Sequence, residues 1–190
     1  VMMGISPFFR AFGDLESVEQ RLAPHPDALH GLQEVMRRAH RSANFALAFA
    51  VHRMDDDAAV IHNAALLHDF ADMLLWCHAP ERAQRIRSQL KADPTLRSSA
   101  AQCRELGIEL PDLQQALMKR WRLPELLVRI SDDRHADQAA VRNVLLAVRL
   151  ARHTALGWDN PALPDDLAEI AVLLNLSPGA TLQLVHDVDC

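Results

Sequence analysis

Residues 55–76 read as one helix that is apolar on nearly every side (Val60, Ile61, Ala64, Ala65, Leu67, Phe70, Met73, Leu74), and its middle carries an adjacent histidine and aspartate, His68-Asp69. A helix this apolar belongs in an interior rather than on a surface. A buried imidazole and carboxylate need a partner there: another side chain, a helix end or a metal ion. The rest of the chain is therefore expected to wrap this helix with others. The sequence poses one question above all, whether His68 and Asp69 do chemistry or hold the fold together.

The periodicity elsewhere is helical, with no convincing alternation of the β type. Residues 5–13 form a short helix or loop, and residues 16–23 a short helix stopped by Pro24. Pro26-Asp27 opens a long helix to about Met54, with Leu29, Leu32, Val35, Met36, Ala39, Ala43, Ala46, Leu47 and Ala50 on the 3.6 period and Gly31 weakening its first turns. An Arg-rich amphipathic helix covers 79–92. Pro94 or Thr95 opens the next, closed by Gly107, and Pro111 and Pro124 sit at the first turns of two more. A long helix over 137–156 ends at Gly157, and Pro164 and Pro178 open the last pair. About ten helices with short polar links make an all-α, compact multi-helix bundle.

Composition excludes several classes. A net charge of −5 leaves no footprint for nucleic acid. Three cysteines, Cys77, Cys103 and Cys190, are widely spaced and never in C-x-x-C, which fits a reducing compartment, the cytoplasm, and neither a disulfide framework nor a zinc knuckle. The longest apolar run, 43–51, is too short to span a bilayer. The start, Val1-Met2-Met3-Gly4, has no secretion signal and no initiator Met, so the chain reads as part of a longer protein. No G-x-S-x-G elbow and no Gly-rich phosphate loop is present.

His40 lies on the helix before the His68-Asp69 run. If the two helices are antiparallel, His40, His68 and Asp69 meet. Two imidazoles and a carboxylate suit Mn, Fe, Zn or Mg. From spacing alone the same residues read more readily as hydrogen-bonded structural groups, with His40 partnering Asp69. Asp72, one turn on, is a second carboxylate ligand or a solvated acid. Asp132, Asp133 and His135 form a polar link. On the helix over 79–92, Arg82, Arg85, Arg87 and Lys91 make a basic stripe suited to an acidic protein partner.

His40 followed by Ala64-Ala65-Leu66-Leu67-His68-Asp69-Phe70-Ala71 resembles the first two blocks of the HD superfamily of metal-dependent phosphohydrolases. The detail resembles the HDOD domain, the HD-related output domain of bacterial signalling proteins. Glu105-Leu106-Gly107-Ile108 leading to Leu117–Pro124 is similar to its "G…L…W-x-L-P" block, Val144–Ala151 to its "hxxADxLA" helix, and Ile170–Leu182 to its closing helix pair. Val1–Ile5 is similar to a segment in the middle of a full HDOD region. The resemblance implies one HDOD-like domain over 1–190 that lacks the family's N-terminal helices.

It also implies a degenerate site. The last metal-binding Asp of the superfamily falls on Val148. The Lys or Arg that often follows the HD pair falls on Asp72. The extra histidines of HD-GYP phosphodiesterases fall near Leu110 and at Asp133-Arg134. Only His40, His68 and Asp69 remain as vestigial or weak metal ligands, too few for a two-metal phosphodiester site. The expectation is a non-enzymatic signal-transduction domain that needs no cofactor and holds a divalent metal at low occupancy at most. Its partner is then a signalling protein or another module of its own chain, with no nucleic acid and no membrane. The alternative is a mononuclear, metal-dependent HD phosphohydrolase acting on nucleotides or phosphodiesters.

Overall fold

Proline and glycine punctuation sets most of the helix limits in the computed structural model, which describes residues 4–93 and 95–189. The helices are α1 (Ile5–Phe12), α2 (Val18–Leu22), α3 (Pro26–His52), α4 (Ala58–Leu66), α5 (Phe70–His78), α6 (Pro80–Ala92), α7 (Ser98–Leu106), α8 (Leu110–Arg120), α9 (Glu125–Ile130), α10 (Ala139–His153), α11 (Leu163–Leu174) and α12 (Pro178–Asp189), with a 3-10 turn at Asp133–His135. No strand occurs among the described residues. The family resemblance at Val1–Met3, the helix start at Pro94 and Cys190 lie outside the described residues.

Local chemistry explains the ends. Ser17 and Gln20 form a reciprocal capping box on α2. Gly107 closes α7 at φ 75°, a left-handed conformation that costs glycine nothing. Asn175 and Met54 take the same region at φ 53° and 56°, after α11 and α3. The long helix expected over 137–156 is shorter: α10 stops at His153, and the Thr154 hydroxyl donates back to Leu150 O before Gly157 is reached.

The largest departure is at the centre. The single helix expected over 55–76 is two helices, α4 and α5, separated at Leu67–Asp69. Leu67 and Asp69 sit at φ/ψ −94/5° and −106/21°, and the backbone bonds there run to the third residue back (His68 N–H to Ala65 O, Phe70 N–H to Leu67 O). Adjacent residues of a regular helix point about 100° apart and do not face each other. The break lets His68 and Asp69 turn their polar ends toward one another.

The twenty-seven-residue α3 is the axis. Its C-terminal half packs on α4, α10 and α12, burying Phe45 and Phe49 among Ile61, Val144, Leu150, Ile170 and Val185. Its N-terminal half packs on α2, α5 and α6, where Leu22, Leu32, Val35, Trp76 and Ala83 form a second cluster. Gly31 belongs to that cluster: a Cβ there would stand 2.6 Å from the Trp76 ring, so the glycine exists for close approach. Arg41 ties the far side, donating to Asp189 of α12 and to the Thr154 hydroxyl. No single helix among the described residues is long and apolar enough to cross a membrane.

Candidate functional site

The α4–α5 break, the N-terminal half of α3 and the 3-10 turn bring four side chains into one chain of hydrogen bonds. Arg38 donates from Nε and Nη2 to Asp69 Oδ2 at 3.1 and 2.9 Å. The other oxygen of Asp69 receives His68 Nδ1 at 3.1 Å. His68 Nε2 faces both oxygens of Asp133 at 3.2 and 3.3 Å. Asp72, one turn along α5, lies 3.8 Å from Arg38 Nη2.

Charge follows from this order. Burial of His68 favours the neutral ring, but the hydrogen bonds to Asp133 and Asp69 outweigh it and push the imidazole up to about 9. His68 is thus a cation at neutral pH, donating from both nitrogens. Burial also opposes ionisation of Asp69, yet the His68 hydrogen bond and the charges of His68, Arg38 and Arg152 hold it well below the usual carboxylate range. Asp72 goes the other way. Burial and the neighbouring Asp69 charge push it up to about 6, against the pull of Arg38 and Arg152.

The expected trio is not assembled. His40 is exposed on α3, two residues from Arg38 and so about 200° around the helix from it. It is Arg38, not His40, that partners Asp69. Among the described residues no group of three or more His, Cys, Asp or Glu side chains could hold a metal ion. As arranged, the donor set does not fit a divalent cation: a guanidinium covers Asp69, and both nitrogens of His68 are spent on carboxylates. Val148 is buried in the core at 3% exposure.

Asp132 and His135 stay in the link, Asp132 receiving Arg134, while Asp133 alone reaches the site. The basic stripe of α6 is largely committed within the chain. Arg82 donates to Glu105 O and Arg85 to the Glu105 carboxylate, fastening α7, and Arg87 pairs with Glu34 of α3 over the Trp76 ring.

Sequence reasoning missed Arg38 and Arg152. Arg38 had a signal, since it stands on the buried stripe of α3, three residues after Val35 and next to Ala39. Arg152 is one turn past Val148 on α10. The site lies at one end of a cleft of about 560 Å³ walled by α3, α5, α6, α7 and α8.

An all-α bundle with a His-Asp pair at the break between two core helices, beside a cleft, defines an HD-related domain. The family model of the HDOD domain matches residues 15–136, well over half of the chain, and the chain belongs to that family. The HDOD domain is a signalling-associated, HD-related output domain. The resembling blocks at 144–151 and 170–182 lie outside the matched span. No curated protein and no solved structure matches the chain.

Proposed function

We propose that the chain is a non-enzymatic output domain of bacterial signalling in the cytoplasm, acting through contacts with a signalling protein or with another module of its own chain. One observation carries the reading: Arg38 bonds Asp69 Oδ2 and Asp133 faces His68 Nε2, so the atoms with which the pair could ligate a metal already have protein partners. Val148 supports it, being apolar where the superfamily has a carboxylate, and so does Asp72, an acid where a phosphate would want a cation. Every residue of α1 is exposed, Phe8, Phe9 and Phe12 included, and exposed aromatic faces suit protein contacts.

The test is metal analysis of the purified protein, then assay on bis-p-nitrophenyl phosphate and cyclic dinucleotides with added Mn or Fe. No turnover is expected, and at most weak metal uptake. Turnover that vanishes in His68→Ala would overturn the reading in favour of a mononuclear phosphohydrolase. A pull-down with the modules of the full-length protein should lose its partner in Phe8→Glu/Phe9→Glu, while circular dichroism stays unchanged.

A further inference from the structure

Two residues on the apolar period of α3, Met36 and Leu47, are not in the core. Met36 is 51% and Leu47 37% exposed, and Val51, one turn after Leu47, is 61% exposed. At 3.6 residues per turn Met36, His40, Asn44, Leu47 and Val51 fall within about 80° around the helix, and all five are exposed. Met54 follows the helix end, exposed as well. Val172 of α11 is exposed near that end, since Arg53 donates to the adjacent Leu173 O. The stripe is the face of α3 that the other described helices leave open. Apolar side chains gathered on one exposed face mark an association surface.

The two ends of the stripe carry opposite charge. Arg37, next to Met36, is exposed and has no ion-pair partner among the described residues, whereas the other arginines of α3, Arg38 and Arg41, are held by Asp69 and Asp189. Glu34, one turn before Arg37 and Arg38, is taken by Arg87 and His30. At the other end Asp56 and Asp57 are exposed and without an ion pair among the described residues, while Asp55 is taken by Arg53. Arg37 lies ten residues before Leu47 and Asp57 ten residues after it. A second copy laid antiparallel, with its twofold axis near Leu47, therefore brings Arg37 of each copy toward Asp56 and Asp57 of the other. A parallel copy would set arginine against arginine and acid against acid.

We propose that the exposed face of α3 is a homodimer surface: two copies of this chain pair antiparallel through α3, with Leu47 and Val51 at the centre and Arg37 of each copy on Asp56 and Asp57 of the other. A twofold interface uses one patch twice, so the patch has to complement itself, and a helix face that is apolar in the middle and oppositely charged at its ends does so. The apolar centre is short and the charged ends face solvent, which makes the pairing weak and salt-sensitive. The proposal uses neither α1 nor the His68 site. It goes beyond the output-domain reading, and either can fail without the other.

Sedimentation equilibrium of the chain at about 1–100 μM should show a monomer–dimer equilibrium that loosens as salt is added. Leu47→Glu/Val51→Glu should leave only monomer, with helix content by circular dichroism unchanged because both sites are exposed. Arg37→Glu should weaken the dimer by about tenfold or more, and so should Asp56→Arg/Asp57→Arg, since each sets like charges against one another. An equal mixture of those two variants should dimerise as tightly as the unaltered chain, because both charged contacts then join opposite signs again. Phe8→Glu/Phe9→Glu should leave the dimer unchanged. Should Leu47→Glu/Val51→Glu not fold, the charge exchange decides alone. A monomer at every concentration, with the stripe bare or taken by another module of the full-length protein, would overturn the proposal. So would a dimer indifferent to Leu47→Glu/Val51→Glu, or a mixture no tighter than its two components.

Discussion

Arg38 places two donors on one oxygen of Asp69, and that leaves the other oxygen free to hold His68. Asp69 is therefore the keystone between two cations. Its loss would strand a guanidinium and an imidazolium, both poorly exposed. Asp69→Ala should destabilise by about 2–4 kcal/mol, because breaking a buried pair costs more than the pair is worth. Arg38→Met combined with Asp69→Leu should cost less than the sum of the two single changes. Urea denaturation of the four proteins gives the coupling directly, and an unchanged midpoint for Asp69→Ala would refute the keystone role.

Stability should depend on pH in a defined window. His68 has a folded pKa of about 9 against 6.5 for an ordinary histidine, so its contribution is complete below 6.5 and fades as pH climbs through 9. Asp69 is depressed, so its contribution is complete above 3.8 and is lost as pH falls below that. The site should hold best between these limits. Thermal melts across pH should show the alkaline decline for the unaltered chain, and a flatter alkaline limb for His68→Asn.

Asp72 has the opposite sign. Its folded pKa of about 6 exceeds the ordinary 3.8, so ionising it penalises the folded state, increasingly from 3.8 to 6 and fully above. Asp72→Asn should stabilise the protein at pH 8 by about 1–2 kcal/mol, a few degrees in Tm, and do nothing at pH 3.5. Equal effects at the two pH values would show that ionisation is not the cause.

Gly31 looks replaceable by its helical position, where alanine is better by about 1 kcal/mol. The Trp76 ring reverses that expectation. A methyl at 2.6 Å from the ring has to displace it, so Gly31→Ala should cost about 1–3 kcal/mol net. Loss of Trp fluorescence shift on unfolding at a lower denaturant concentration is the measurement.

The all-α class was legible because the chain marks its own boundaries. Pro26, Pro111 and Pro178 stand in the first turns of α3, α8 and α12, and Gly107 follows α7 where the pattern requires it. The break at Leu67–Asp69 was not legible, since no proline or glycine marks it and the partner His68 meets there, Asp133, is more than sixty residues away in sequence. The same distance hid the site. His40 and Arg38 are two positions apart, and metal-ligand habits favoured the histidine, while the buried face of α3 selects the arginine. The α6 stripe looked free because Glu105 and Glu34, which consume it, lie on other helices.

Two apolar clusters share a single long element. The larger gathers α4, α10, α11 and α12 on one half of α3, and the smaller gathers α2, α5 and α6 on the other. At about 1.5 Å per residue α3 is a rod of roughly 40 Å. The interruption between α4 and α5 removes the second rod that would have run beside it. The two halves of the molecule are therefore joined through one unbroken helix, and Arg38 stands near its midpoint, between Val35 of the smaller cluster and Ala43 of the larger.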